Sequence, residues 1–230
     1  MSVGATLVVQ LCTAGHRPDI SQSRRNGCCL LGLMSRCDMT EPSAPLTVPD
    51  VVNWPIFPFE GDMRVREIQP RLDQERVRNG DPGGDPCHRC AEDASNDAPI
   101  WSNGRWAVRR LTFNGRASPF PAYMLEIVEH ADIDALTEDL AAELGVLTLR
   151  LNNALLTLGT VGRVHFNRWG DGAAHFHVWF LGRPAGAWQF SGYTLPLWGF
   201  TLPSLPEDEL AANDLAIAAS LKAAAANAPG

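Results

Sequence analysis

The sequence predicts an α+β domain in which an antiparallel sheet of about five or six strands packs on one long helix. Three observations predict it. Residues 162–184 (GRVHFNRWGDGAAHFHVWFLGRP) hold two runs of alternating apolar and polar residues around Trp169-Gly170-Asp171-Gly172, the pattern of a β-hairpin. Earlier runs at 100–101, 106–113 and 123–129 are rich in aromatic and β-branched residues. Between the two groups, Leu136, Leu140, Leu144, Leu147, Leu151, Leu155 and Leu158 recur at three- and four-residue spacing, which makes one apolar stripe on a helix over 132–158.

Taken in order, residues 1–52 read as a poorly structured extension. The apolar stretch 5–12 is brief and has no basic segment before it, so a secretory signal is not expected. Met34 and Met39 are alternative starts, and nothing beside Cys28-Cys29 supports a lipid anchor. Residues 53–86 form a lead-in: a Pro- and aromatic-rich strap over 53–60, a short alternating strand over 63–68, and a Gly/Pro-rich loop over 75–85. Asn103-Gly104 turns between the first two strands of the main domain, 87–184, and 114–121 is a longer loop. Asp132 or Asp134 caps the long helix and Gly159 ends it, while Gly145 permits a close approach to the sheet. Residues 185–230 are a cover: an aperiodic aromatic segment over 185–205, then a helix over 206–225 with Ser204 as its cap.

The chain has 230 residues, 45% of them apolar, and a net charge of −7. It is long enough for one sizeable core with extensions. No apolar run reaches the ~18 residues of a membrane span. An acidic chain is also a poor partner for nucleic acid or anionic lipid, although a small nucleotide needs only local donors. Of six cysteines, Cys12, Cys28, Cys29 and Cys37 crowd the first 37 residues, and Cys87 and Cys90 form a CxxC. A secreted disulfide scaffold would spread them through the fold, so the distribution points to the reducing cytoplasm.

Two constellations carry chemistry. Cys87 and Cys90 with His130 and His175 make a thiolate pair plus two imidazoles, a tetrahedral zinc set. PCHRC alone reads equally as a redox dithiol or two ordinary thiols, and His88 is a competing ligand with awkward geometry. The second is the alternating strand carrying His175, His177 and Trp179 on one face, with Phe176, Val178 and Phe180 on the other. His165 and Asn167 share a face of the preceding strand, and closure through 169–174 would bring them beside His177 and His175. His165 alone reads more simply as a half-buried strand residue. Arg105, Arg109, Arg110 and Arg116 form a local basic group in which Arg109 and Arg110 face opposite sides. There is no P-loop, no GxGxxG and no nucleophile-elbow serine.

AHFHVWFLGRP, preceded by FNRWGDG, resembles the signature strand and turn of the histidine-triad superfamily over roughly residues 87–184. The relatives include nucleoside phosphoramidases, diadenosine tetraphosphate hydrolases and galactose-1-phosphate uridylyltransferase. The resemblance implies a structural zinc on Cys87, Cys90, His130 and His175. It also implies a nucleophilic His177 that attacks the α-phosphorus of a nucleotide and forms a nucleotidyl-histidine. Asn167 would then contact ribose or phosphate, Gly170 and Gly172 would offer backbone amides, and His165 and Trp179 would line the same site. Members are often homodimers. One position departs from the pattern: Trp179 replaces the third histidine and cannot act as a general acid, although the uridylyltransferases also lack that histidine and use Gln. The readings are therefore a hydrolase or nucleotidyltransferase, or a zinc-stabilised nucleotide-binding or partner-docking protein without turnover. A thiol redox module is the third.

Overall fold

A computed structural model describes residues 46–91 and 98–226. Of the extension expected over 1–52, residues 1–45, with Cys12, Cys28, Cys29 and Cys37, lie outside the described residues, and its end enters a 3-10 turn over Asp50–Asn53. The rest is the expected α+β domain. Five strands form an antiparallel sheet: β1 (Trp101–Ser102), β2 (Trp106–Arg110), β5 (Ala122–Ile127), β7 (His177–Pro184) and β6 (Val161–Asn167), in the order β1-β2-β5-β7-β6. The two remaining strands, β3 (Thr112–Phe113) and β4 (Arg116–Ala117), pair only with each other. The expected single strand 106–113 is thus broken at Leu111, whose side chain enters a second apolar cluster with Phe113 and Phe120. Asn114 and Gly115 turn between β3 and β4 with positive φ, the hairpin chemistry of an Asn-Gly pair.

One face of the sheet holds the main core. Trp106, Val108, Tyr123, Leu125, Val178 and Phe180 pack against Leu147, Leu151 and Leu155 of α2 (Glu138–Leu156) and against Ile217 and Leu221 of α4 (Glu207–Ala226). Every leucine of the stripe belongs to this core or its margin. The helix itself is shorter than the pattern, because Thr137 caps it by accepting from the Leu140 amide. Asp132 instead caps a 3-10 turn over Ile133–Ala135, and extended Leu136 separates the two. Nothing approaches the position of a Cβ on Gly145, so that glycine does not mark a close contact with the sheet. Gly159, at φ 72, does end the helix region.

The other face is divided. Ala122 and Leu181 meet Leu111, Phe113, Phe120 and Leu195, with Trp179 and Phe190 at the edge. Part of the aperiodic aromatic segment is helical after all: α3 (Leu195–Thr201) follows a 3-10 turn, and Pro196 lies in its first turn, where a missing amide costs nothing. The 53–60 segment is the irregular strap expected; Trp198 Nε1 donates to Ile56 O and Gln189 Nε2 to Pro55 O. The strand expected over 63–68 is absent. Residues 61–77 are exposed throughout, and without a partner edge the alternation buries nothing. Ser204 does not cap α4; its hydroxyl donates to Ala117 O in β4.

Candidate functional site

The site is built where β5 ends and β7 begins. The Cys87-His88-Arg89-Cys90 segment enters a one-turn helix, α1 (His88–Ala91), in which the Cys90 and Ala91 amides donate to Cys87 O. That turn places both thiols on one side. His130 follows β5 by three residues, and His175 precedes β7 in an irregular stretch anchored by the Phe176 amide on Ala131 O. His175 is therefore just outside the regular strand in which the alternation had placed it.

One ligand atom from each of Cys87, Cys90, His130 and His175 lies within 4.8 Å of the others. Cys87 Sγ is 3.5 Å from His175 Nδ1, Cys90 Sγ is 3.5 Å from the same atom, and Cys90 Sγ is 3.4 Å from His130 Nδ1. Tetrahedral zinc, with Zn–S about 2.3 Å and Zn–N about 2.0–2.1 Å, holds sulfur and nitrogen about 3.5 Å apart. The donor set therefore fits a metal. The tautomer fits as well: His175 Nε2 is 2.6 Å from Ile127 O, which can only accept, so Nε2 carries the proton and Nδ1 presents its lone pair to the thiols. Burial pulls the His175 pKa below its ordinary value, which favours this neutral ring. Burial also pushes the Cys90 thiol up to about 11, with the neighbouring Cys87 thiol and Glu126 adding to the rise. A metal would have to displace that proton.

A loop that the sequence had presented only as a lead-in braces the cluster. Asn79 bridges Ala173 in parallel, donating to Gly172 O and accepting from the Ala174 amide. Gly80, at φ 91, lies so close that a Cβ there would stand 2.7 Å from His130 Cε1 and 3.2 Å from Cys87 Cβ. Arg78 is fixed by Asp81 and by Gly170 O, and both Arg78 and Arg168 pair with Asp132. Burial disfavours the Asp132 carboxylate, but the Ile133 amide and these two guanidiniums outweigh it and hold its pKa below the ordinary value. Three separate loops meet on one side chain.

His177 is the first residue of β7 and lies opposite Glu126 of β5. Its Nδ1 donates to His175 O at 2.8 Å, and this leaves Nε2 as the lone-pair nitrogen. With Cys87, His88, Arg89, Met124, Glu126, Ala173 and His175 it lines a cavity of about 140 Å³. Glu126 is only 3% exposed and sits between two guanidiniums, Arg109 Nε at 2.5 Å and Arg89 Nε at 3.1 Å. The sequence reading missed Glu126 and Arg89. The available signals were an acidic residue inside the apolar run YMLEIV and a cation between the two cysteines.

The remaining expected residues are placed differently. The hairpin connection runs over 168–176, and its register sets Asn167 opposite Trp179 and His165 opposite Leu181. His165 and Asn167 thus share the His177 face but are not beside His177, because the longer loop shifts the pairing. His165 is half-buried, and its Nε2 has no partner among the described residues. Trp179 packs edge-on against Phe113 and Trp169, and its buried Nε1 also lacks a partner. It does not line the His177 cavity. The Gly170 and Gly172 carbonyls are occupied by Arg78 and Asn79. The basic group disperses: Arg105 pairs with Glu143, Arg110 with Glu207 and Asp214 of α4, and Arg116 with Phe200 O, so Arg109 alone reaches the cavity wall.

No protein-family profile and no curated protein matches the chain. Solved structures do. A histidine triad protein from Sinorhizobium meliloti 1021 matches at 20% identity and a TM-score of 0.44, over 55% of this chain and 90% of that one. A histidine triad protein from Bradyrhizobium japonicum matches at 18% and 0.44, over 55% and 91%. A Zn-bound histidine triad family protein from Mycobacterium smegmatis matches at 14% and 0.44, over 62% and 97%. Among the described residues no helix is long and apolar enough to cross a membrane.

Proposed function

We propose that this protein acts on a nucleotide at its α-phosphorus through His177, in a domain held together by a structural zinc. The observation that carries the reading is the pair of adjacent imidazoles with fixed and opposite uses. His175 turns Nδ1 to the thiols, and the His175 carbonyl holds the Nδ1 proton of His177, so that Nε2 of His177 is free to attack. In the proposed step Nε2 forms a bond to phosphorus while the bond to the leaving group breaks. Water, or an acceptor phosphate, then displaces the nucleotide and restores the imidazole. The cavity of about 140 Å³ is smaller than the ~300 Å³ at which ligand pockets begin, so it suits one phosphoryl group and leaves the nucleoside outside. Asn167 and the Gly170 and Gly172 amides are the proposed contacts for that outer part.

Zinc on Cys87, Cys90, His130 and His175 would supply folding energy only, since four protein ligands leave no position for water. A reducing compartment such as the cytoplasm keeps the two thiols available. The resemblance of the HFHVWF strand to the histidine-triad signature supports the assignment of His177.

A second reading is favoured by one observation. Trp179 cannot deliver a proton, and it lies in an aromatic cluster rather than in the cavity. A chain that binds nucleotide and forms the adduct slowly, or only binds, is consistent with that. Trapping separates the readings: incubate with labelled nucleotides, quench at alkaline pH, and map the label. An acid-labile adduct on His177 that disappears in His177→Ala supports the nucleotidyl-transfer reading. Tight nucleotide binding with no adduct in any condition refutes it in favour of binding alone.

A further inference from the structure

We propose that the cavity between the 52–61 strap and α3 binds a small organic cation of the alkylammonium class. This site shares no lining residue with the His177 cavity and does not depend on the function proposed above. Its volume of about 630 Å³ falls within the ~300–1,000 Å³ of small-molecule sites.

The lining decides the ligand class. Four aromatic rings contribute, Trp54, Phe57 and Phe59 from the strap and Trp198 from α3, and no Lys, Arg or His lines the cavity among the described residues. Phe57 and Phe59 meet edge to face at 5.7 Å, so each steadies the other's ring. The polar side chains are Asn53, Glu60 and Gln189, and the one charge among them is negative. Trp198 Nε1 donates to Ile56 O at 2.9 Å, and one N–H of Gln189 Nε2 donates to Pro55 O at 3.1 Å. Asn53 and Gln189 each offer a carbonyl oxygen, and Glu60 offers a carboxylate, which only accepts. Aromatic faces and oxygen acceptors without a compensating cation attract positive charge and repel anions. Trp54 lines the cavity and is 53% exposed. The two hydrogen bonds from the 185–205 segment hold the strap in place, which gives that segment a role beyond covering the sheet.

The test titrates the full chain with choline at constant ionic strength and follows both tryptophan fluorescence and heat of binding. The neutral isostere 3,3-dimethyl-1-butanol is run in parallel. The proposal expects saturable binding of choline and at least about fivefold weaker binding of the alcohol. Glu60→Gln and Trp54→Ala alter exposed side chains, so both fold, and each should weaken choline binding by at least about fivefold. His177→Ala should bind choline as the parent does. Equal binding of the neutral alcohol, unchanged affinity in Glu60→Gln, or no saturable signal with choline overturns the proposal.

Discussion

Two glycines of one loop provide an internally controlled test of the metal cluster. Gly80 and Gly83 have φ of 91 and 84, so alanine at either pays for a left-handed backbone, about 1–2 kcal/mol. They differ in what a Cβ would meet. At Gly83 nothing lies within 4 Å, whereas at Gly80 the methyl would stand 2.7 Å from His130 Cε1 and 3.2 Å from Cys87 Cβ. Both contacts are with ligand residues, so the Gly80 methyl can be accommodated only by moving a ligand. Displaced support of a metal ligand typically costs about 10–100-fold in affinity, or about 1.4–2.7 kcal/mol. Gly83→Ala should therefore lose about 1–2 kcal/mol of stability with or without zinc and keep its zinc affinity. Gly80→Ala should show the same backbone loss without metal and a further loss with it, together with a zinc affinity at least about tenfold weaker. Urea unfolding of the loaded and chelated protein, with zinc affinity from competition against a chromophoric chelator, reads both quantities. If the two alanine variants are indistinguishable in zinc affinity, the 79–80 loop does not brace the cluster and the placement of His130 is wrong.

Glu126→Gln keeps the shape but leaves Arg109 and Arg89 facing a neutral amide. Breaking a fully buried pair costs about 3–5 kcal/mol, and because the two arginines are 17% and 23% exposed the loss here should be nearer about 2–3 kcal/mol in urea unfolding. A loss below about 0.5 kcal/mol would show that the charges are solvated, as at a surface pair. His165 gives a pH signature. Burial, with Arg183 adding, holds its pKa below the ordinary 6.5. Between the two values the unfolded chain binds the proton and the fold does not, so this stability is present above pH 6.5 and is lost as pH falls. His165→Gln should flatten the rise in urea midpoint between about pH 5 and pH 7.5, and an unchanged slope refutes the assignment. Trp179→His exchanges a ring packed on Phe113 and Trp169 for a smaller polar one. It should cost about 3 kcal/mol and give no gain in turnover, and a more active variant of unchanged stability would contradict the placement of Trp179 outside the cavity.

Much of this was legible because it is local. Period-two alternation gave β6 and β7, the leucine spacing gave α2, and CxxC fixes two thiols within one turn whatever surrounds them. What failed was set by distant partners. Leu111 interrupts the expected strand after β2: its amide still donates to Ala122 O of β5, while its side chain joins Phe113 and Phe120 in a second apolar cluster. Asp132 looks like the cap of a long helix, but Arg78 and Arg168 arrive from 54 and 36 positions away and hold it in a 3-10 turn. The 63–68 alternation is as regular as that of a true strand, yet neither sheet edge accepts it.

The same distinction explains why the candidate site was found in pieces. Alternation says that residues 177, 179 and 181 share a face, but it does not say what covers that face. In the fold, the end near His177 carries charge, with Glu126 between Arg89 and Arg109, while the end near Leu181 is apolar, sealed by Phe113, Phe120 and Leu195. Trp179 stands at the boundary, opposite Met124 on one side and Asn167 on the other. The indole is held there by its edge-on contacts with Phe113 and Trp169, while its buried Nε1 has no partner among the described residues. The cover of the Leu181 end, to which Phe113 of β3 and Leu195 of α3 contribute, therefore leaves His177 as the one position of that face open to the charged end.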